Sequence, residues 1–505
     1  MNMIFKDPSN LIPLFVILPL GGAFLISFLG KRSKRFCDIF ANLISASLLI
    51  ISAVSIYIVK TSGPLIYKLG HWLPPIGITL VLDGMTLFML FTTNIISFFI
   101  MLYSVNYMEK YTDKWMFYTL FLLMVTGMEG VIITGDIFNL FVFLEIASVA
   151  SYALVAYGTE AEELEASFKY LIMSSVGSLF ILLGIALLYG YTSTLNMADI
   201  ALTISKIGPG RIIPFVSVLF LMGFGLKAAL VPFHSWLPDA HPSAPAPISA
   251  MLSGVLIKAL GVYTLIRIFY NVFGINNAVL NILMFAGAIS MVVGVLLAIG
   301  QWDLKRLLAY HSISQIGYIV LGLGIATPLG LLGGLFHLFN HSVFKSLLFL
   351  NSGAIEFTIG TRDLKNMGAL REKMPVTAGT SLVASMSIAG VPPFNGFWSK
   401  LIIIFAAVQA GHYWYAVCAV FASILTLASF MKFQKYAFFG SFNNTYKDIK
   451  EVPFFMRVSM LALALICKVG GVMLMPVLLK NFLGAAVNVL INGIRYADVV
   501  FGAIR

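Results

Sequence analysis

The chain has 505 residues, of which 60% are hydrophobic and only 10% are charged. A soluble domain carries about 25% charged residues, so this composition leaves too little polar surface for a water-exposed body. The net charge of +11 is therefore attributed to basic loops beside a membrane, and no nucleic-acid partner is predicted. The three cysteines lie far apart, which argues against a disulfide framework, an iron–sulfur cluster or a zinc site.

Apolar stretches recur from end to end and predict an all-α polytopic membrane protein with about 14 spans. Each stretch has about 18 residues or more, enough to cross a ~30 Å hydrocarbon layer, and none alternates as a barrel strand would. The first stretch has no basic segment before it and no small-residue cleavage site, so we predict a spanning helix rather than a signal peptide. The centres fall at about residues 20, 47, 92, 125, 147, 180, 222, 262, 289, 315, 345, 390, 422 and 467.

Lysine and arginine are divided unevenly between the loops on the two sides. The alternate loops that begin with residues 31–35 carry about twice as many basic residues as the opposite set, which holds both termini. This bias predicts a cell-membrane protein whose first loop is cytoplasmic and whose termini are both outside.

Two predicted spans contain prolines and are expected to break. Residues 226–249 read LKAALVPFHSWLPDAHPSAPAPIS, and residues 387–402 read SIAGVPPFNGFWSKLI. Proline removes a backbone donor and clashes with the preceding turn, so the helix cannot continue through it. Two interrupted segments in corresponding halves indicate inverted repeats with a transport site between them.

A weak internal match also suggests a duplication. Ser174, Gly177 and Gly184 recur as serine and two glycines at an offset of 140, although both residue types are common in membrane helices. The chain is accordingly divided into three N-terminal helices (1–110), a first five-helix repeat (111–273), a second repeat (274–440) and a last helix with a tail (441–505).

Ionisable residues within the apolar stretches are the candidate functional residues. A charge at the centre of a spanning helix costs roughly 2.5–3.5 kcal/mol, which makes each one a functional hypothesis. Glu145 is the clearest case, because the eight residues on either side carry no charge. The others chosen on this basis are Lys227, Lys258, His337, His341 and Lys400, with Lys345 as an accessory residue one turn beyond His341.

These residue types suit a proton relay. Burial lowers the pKa of a lysine and a nearby carboxylate raises it again, so a Glu145–Lys227 pair whose separation changes can hold or release a proton. Histidine titrates near neutral pH and can pass protons in either direction. The alternative is that the charges only form structural ion pairs between helices, but so many beside two broken helices favour the relay.

Other ionisable residues are given structural roles. His234 and His241, in the first break, are predicted to be interfacial. Four acids near predicted span ends are expected to be solvated or to cap helices: Asp83, Glu129, Asp136 and Asp303. His337 and His341 lack an acidic partner for a metal, and no nucleotide-binding or nucleophile motif occurs, so no metal, cofactor or catalytic centre is predicted.

Four motifs in order resemble the antiporter-like subunits of respiratory complex I, Mrp-type Na+/H+ antiporters and membrane-bound energy-converting hydrogenases. They occupy residues 226–267, 303–322, 337–350 and 390–401, within a resemblance that runs from about residue 75 to 440. The resemblance implies 14 core helices with two inverted five-helix repeats, each containing one broken helix. It also implies relay roles for Glu145, Lys227, Lys258, His337, His341 and Lys400.

The chain departs from that pattern in two places. Many relatives carry a histidine in the tenth helix where this chain has Gln315, and His311, one turn earlier, is the candidate replacement. The sequence also stops soon after the fourteenth predicted helix, without the long lateral helix of the largest complex I homologue. The second difference favours the shorter members, such as the D-type component of Mrp antiporters and its hydrogenase counterpart.

The sequence thus predicts a proton-translocating subunit of a multisubunit cation/proton antiporter or of an Mrp-containing respiratory complex. Other membrane subunits of these complexes are the expected partners, and protons are expected to pass from Lys227 through Lys258 and the histidines to Lys400. Whether Na+ also moves, and which reaction drives the complex, stay open. A non-conducting scaffold is the alternative, while a self-contained oxidoreductase is disfavoured because no cofactor ligands are recognised.

Overall fold

The computed structural model describes residues 7–111, 113–441 and 446–502. Both chain ends of the predicted outermost units (residues 1–6 and 503–505), together with residues 112 and 442–445, lie outside the described residues. Within the described ranges, 12 helices are long and apolar enough to cross a membrane. The predicted all-α polytopic fold is therefore confirmed, whereas the total of about 14 spans stays a prediction.

The helices pack around a continuous apolar core, and a two-stranded antiparallel hairpin, β1 (Leu65–Lys68) with β2 (Thr79–Leu82), is inserted after the second of them. In chain order the helices are α1 (Leu14–Leu29), α2 (Lys34–Ser62), α3 (Gly84–Tyr107), α4 (Lys114–Ile133), α5 (Ile137–Val155), α6 (Ala161–Thr192), α7 (Met197–Ile207), α8 (Ile212–Lys227), α9 (Leu237–Ser243), α10 (Ala246–Val272), α11 (Asn277–Ile299), α12 (Leu304–Gly324), α13 (Pro328–Ile359), α14 (Pro375–Ala389), α15 (Asn395–Gln409), α16 (Tyr413–Ala437), α17 (Phe454–Val469) and α18 (Pro476–Gly502).

Aspartates set the start of three of these helices. Asp83, Asp136 and Asp303 precede α3, α5 and α12, and each accepts hydrogen bonds of 2.8–3.0 Å from backbone N–H groups of the first turn. The capping role predicted for them is confirmed. Asp83 is not solvated, however, because it forms a 2.6 Å ion pair with Arg267 in which both side chains are only 3% exposed.

Both predicted breaks are present. The first separates α8 from α9 and the second separates α14 from α15. The freed backbone of the first break bonds to side chains, since Trp236 Nε1 donates to the Leu226 carbonyl (3.2 Å) and the Val231 N–H donates to Ser290 (3.0 Å). In the second break Gly390 has a φ of +81°, a conformation that favours glycine. Protein covers the interrupted backbone, as the membrane interior requires.

The wholly buried helix α10 is wound more widely than an α-helix over much of its length. It contains three π-helical stretches, Leu252–Leu256, Lys258–Tyr263 and Arg267–Val272. Such wide turns are rare and occur often at functional sites. Lys258 begins the second of them.

Two short backbone pairings reveal an internal correspondence. The segments that lead into and out of α5 and α6 exchange two backbone hydrogen bonds, and those around α12 and α13 exchange two more at a constant offset of 167: Ile137 with Leu195, Met197 with Gly135, Leu304 with Arg362 and Leu364 with Trp302. This offset pairs α5 with α12 and α6 with α13. The serine–glycine match at an offset of 140 instead pairs α6 with α12, so it does not mark the structural repeat.

Candidate ion-translocation site

Lys227 and Glu145 meet beside the first broken helix. Lys227 ends α8, and its Nζ lies 3.8 Å from Glu145 Oε1 on α5. The ammonium donates hydrogen bonds to Ser148 Oγ (3.0 Å) and Ser174 Oγ (2.5 Å), while Ser178 donates to the Glu145 carboxylate. The Lys227 side chain is 3% exposed, whereas that of Glu145 is 33% exposed. Glu145 thus reaches the surface of the chain and Lys227 lies inside it.

This geometry connects the two charges through hydroxyl groups. A separation of 3.8 Å is near the limit of an ion pair, and a hydroxyl both donates and accepts hydrogen bonds. Ser148 and Ser174 therefore solvate the ammonium in place of water. The carboxylate can approach or withdraw without leaving Lys227 unpartnered.

Lys258 lies deeper, in the wide turns of α10. It is fully buried, and its Nζ donates to the carbonyls of Ser253 (2.6 Å) and Gly254 (2.5 Å) in its own helix. An ammonium carries three N–H donors, so one remains available. One turn further, Gly261 packs so tightly on Ala228 that a Cβ at position 261 would lie 2.5 Å from the Ala228 nitrogen. The helix of Lys258 is therefore seated directly on the break that follows Lys227.

A stripe of three buried basic residues follows on α13. The rings of His337 and His341 lie 6.3 Å apart and within 4° of parallel, which confirms that they share one face of the helix. Neither ring nitrogen of His341 has a hydrogen-bond partner among the described residues. Lys258 and Lys345 both interact electrostatically with this imidazole, and Lys345 donates to the Leu308 carbonyl. His341 thus lies between the lysine of α10 and the rest of the stripe.

His337 connects the stripe to the second broken helix. Its Nδ1 lies 2.9 Å from Ser399 Oγ, and its Nε2 lies 3.2 Å from the side-chain oxygen of Gln315. The Tyr318 ring is 5.4 Å from the His337 ring and 4.7 Å from Lys400 Nζ. Ser399 and Lys400 are consecutive on α15, so one turn of helix brings the imidazole and the ammonium to the same place.

Lys400 is anchored at the second break much as Lys227 is at the first. Its Nζ donates to the Ile388 carbonyl (2.7 Å), one residue before the end of α14, and to Ser423 Oγ on α16 (3.0 Å). The side chain is buried. Each broken helix therefore holds one lysine against hydroxyl groups of neighbouring helices.

The structure separates the two residues considered for the missing tenth-helix histidine. Gln315 contacts His337, but His311 faces α16, where its Nε2 lies 2.8 Å from Ser429 Oγ and its ring lies 4.7 Å from Phe430. Since His311 makes no described hydrogen bond to the stripe, Gln315 itself occupies the contact that a histidine would make.

Two further buried ionisable residues were misjudged from the sequence. Glu129 lies within α4, is 0% exposed, and has no hydrogen bond to either carboxyl oxygen among the described residues, so its predicted capping or solvated role is wrong. His241 is also 0% exposed and packs 4.6 Å from the Phe349 ring, so its predicted interfacial position is wrong. His234, by contrast, is half-buried. For Glu129, apolar neighbours on both sides were the one available signal.

Family models match most of the chain. The model described as NADH:quinone oxidoreductase/Mrp antiporter, TM, covers residues 134–426, which is more than half of the chain. A second model, described as NADH-Ubiquinone oxidoreductase (complex I), chain 5 N-terminus, covers residues 72–118. Both matches fall inside the region to which the sequence resemblance was assigned.

Curated relatives and solved structures agree with these models. The D-type component of the Na(+)/H(+) antiporter of Alkalihalophilus pseudofirmus is 36% identical over 86% of this chain and 88% of its own. The N-type component of the NADH-quinone oxidoreductase of Desulforudis audaxviator is 35% identical over 83% and 84%. A chain of the Mrp complex from Dietzia sp. superposes with a TM-score of 0.90 (29% identity, 98% and 99% coverage). A chain of the archaeal membrane-bound sulfane sulfur reductase also gives 0.90 (32% identity, 97% and 100% coverage).

The fold, the buried charges beside two broken helices and these matches agree with one another. A relative more than 30% identical over most of both chains establishes the family, and the membrane-spanning helices establish the location. The chain belongs to the NADH:quinone oxidoreductase/Mrp antiporter family and is a multi-pass, antiporter-like subunit of the cell membrane.

Proposed function

We propose that this chain translocates protons along a buried relay made by Glu145, Lys227, Lys258, His341, His337 and Lys400. The observation that carries the proposal is the unbroken series of contacts at the second half of this path. His341 stacks over His337, His337 bonds to Ser399, and Lys400 follows Ser399 in the chain. So many buried ionisable groups in contact are costly in a membrane interior unless they serve transport.

In this scheme a proton enters near Lys227 and leaves by Lys400. Withdrawal of Glu145 removes the charge that favours the protonated form of Lys227, so the proton moves inward to Lys258. The spare N–H of Lys258 and the unpartnered nitrogens of His341 accept the next transfers, and a chain of hydrogen bonds carries the proton to Lys400. Residues His311, Gln315 and Lys345 tune the stripe without being obligatory carriers.

The exposed part of Glu145 supports control by a neighbouring subunit. A carboxylate that costs energy in lipid is 33% exposed on the isolated chain, so a partner surface is expected to cover it. Relatives named as subunits of Na+/H+ antiporters, quinone oxidoreductases and a sulfane sulfur reductase complex support assembly with other membrane subunits. Na+ is the second ion that such an assembly would move.

The topology follows from the 167-residue correspondence and the basic loops. Five membrane crossings lie between the starts of α5 and α12, so the paired helices run in opposite directions. This arrangement supports two inverted repeats over residues 111–273 and 274–440. The bias of lysine and arginine supports cytoplasmic placement of the first loop and external placement of both termini.

The decisive experiment replaces Lys227 by alanine in the assembled complex. We expect proton translocation in reconstituted vesicles to be lost while assembly and the thermal unfolding midpoint are retained. Lys60→Ala, which removes an exposed lysine from the last turn of α2, is the matched control and should transport normally. Normal proton movement in the correctly assembled Lys227→Ala complex would overturn the proposal.

A scaffold role makes the opposite prediction for a charge exchange. If the Glu145–Lys227 pair only holds helices together, the double variant Glu145→Lys/Lys227→Glu should assemble and leave transport of the complex untouched. If the relay operates, the same variant should assemble but fail to move protons, because the inward side of the pair would then carry an acid. Measuring assembly and proton uptake on the same preparation separates the two functions.

A further inference from the structure

A groove unrelated to the relay lies at one end of the helix bundle, between the last turns of α16, the first turns of α14 and the loop that joins α11 to α12. Its volume is about 710 Å³, within the range of sites that hold a bound molecule. Trp302 and Tyr436 line its outer part with their rings 5.1 Å apart. Leu382 and Met431 form its inner wall and are 39% and 54% exposed. The groove therefore changes from aromatic and polar at the helix ends to apolar farther in.

Lys432 supplies one cation at the polar part of the groove. Its Nζ donates to the carbonyls of Ile299 and Gln301, both at 2.7 Å, and lies 4.6 Å from the Trp302 ring centre. Two of its three N–H donors are used by these carbonyls, so the third can reach an anion. Capping the end of α11 explains the position of this lysine but not its neighbours.

Three more cations surround the same aromatic groups. Lys435 lines the groove, Lys365 lies 4.8 Å from the Trp302 ring, and the Arg371 guanidinium lies 4.9 Å from the ring of Phe439, another lining residue. Neither these cations nor Lys432 form an ion pair with any acid within residues 7–111, 113–441 and 446–502. No acidic residue of those ranges lines the groove. The positive charge is thus left without a partner inside the described chain.

We propose that this groove binds an anionic phospholipid. Its phosphate would lie against Lys432 and Lys435, and one acyl chain would follow the wall made by Leu382 and Met431. Tryptophan and tyrosine mark the level of lipid headgroups, and basic pockets between membrane helices bind acidic headgroups. A soluble anion would gain nothing from the exposed apolar wall, which is why the lipid is preferred.

The test uses photoactivatable phosphatidylglycerol with the purified complex in phosphatidylcholine vesicles. We expect cross-linking to the peptide around residues 431–439, and no comparable labelling by a photoactivatable phosphatidylcholine. Lys435→Gln should lower labelling about fivefold, and Lys432→Gln/Lys435→Gln about 25-fold. The matched control, Lys60→Gln/Lys206→Gln, removes the same charge from exposed positions and should leave labelling unchanged.

Several outcomes would overturn the assignment. Equal labelling by the zwitterionic probe, or labelling unchanged by loss of both lysines, would show that the cations do not select the lipid. Displacement of the probe by excess soluble glycerol phosphate would show that the ligand is a free phosphate. Cross-linking of the groove to another subunit in place of lipid would identify it as a protein interface. None of these readouts depends on proton transport.

Discussion

The shortest hydrogen bond of Lys227 goes to Ser174 on α6, at 2.5 Å, while the carboxylate of Glu145 stays 3.8 Å away. The ammonium is therefore held mainly by neutral hydroxyl groups. A hydrogen bond to a charged group contributes about 1.5–3 kcal/mol, so Ser174 is positioned to decide how readily Lys227 gives up its proton.

Replacing Ser174 by alanine should slow proton translocation. The loss of a charge-assisted hydrogen bond leaves Lys227 with Ser148 and the distant carboxylate, and an effect of about 1.4 kcal/mol on the limiting transfer corresponds to about a tenfold lower rate. Proton uptake by vesicles containing the assembled complex measures this change. Ser151→Ala is the control, because Ser151 lies on the same helix as Ser148 but bonds to Tyr170. Equal rates for the two variants would contradict the assigned role of Ser174.

Gln315 should be needed for a well-placed His337. Gln315→Leu removes the acceptor or donor 3.2 Å from Nε2 and leaves a buried ring nitrogen unpartnered, which costs about 1–3 kcal/mol. We expect proton uptake to fall about tenfold or more. Gln315→His, which keeps a polar group at that position, should retain most of the rate. Undiminished uptake in Gln315→Leu would show that the His337–Gln315 contact has no part in the path.

The ion pair between Asp83 and Arg267 should be structural. Arg267→Ala leaves a carboxylate uncompensated where both side chains are only 3% exposed, so the expected loss is about 3–5 kcal/mol in free energy of unfolding. Thermal unfolding of the purified complex in detergent reports it. Lys169→Ala breaks contacts to Glu165 and Asp239 that are largely exposed and should change the midpoint little. A similar midpoint shift for both variants would refute the special weight given to the buried pair.

Asp136 should make stability depend on pH in the direction opposite to a surface acid. Burial raises the pKa of Asp136 above its ordinary value of 3.8, although the N–H groups of Asn139 and Phe138 oppose the shift. The folded state therefore keeps this proton to higher pH than the unfolded state, and the free energy of unfolding falls as pH rises through that interval. Asp136→Asn keeps the helix cap and lacks this step.

The comparison is made by thermal unfolding across pH. Asp136→Asn should gain on the unmodified protein between acidic and neutral pH, whereas Asp136→Ala, which loses the cap, should be less stable by about 1 kcal/mol. Parallel pH profiles for the unmodified protein and Asp136→Asn would contradict the raised pKa of Asp136.

Burial of single residues near span ends could not be judged from the sequence. Asp136 and Glu129 both lie near the same predicted boundary, yet one caps α5 and the other is enclosed within α4 without a hydrogen bond among the described residues. His241 shows the same difficulty, because a proline-rich break looks like a loop until neighbouring helices cover it. Only the packing of distant segments decides which of these side chains water can reach.

What the amino-acid sequence determined by itself was whatever depends on local chemistry. Long apolar runs define spanning helices, prolines define the two breaks, and an acid or lysine inside such a run identifies Glu145, Lys227, Lys258 and Lys400. The tertiary structure alone decided which groups touch. It places Ser174 on Lys227 and Gln315 on His337, and it pairs α5 with α12, because these contacts join residues far apart in the chain whose meeting depends on helix packing rather than on residue spacing.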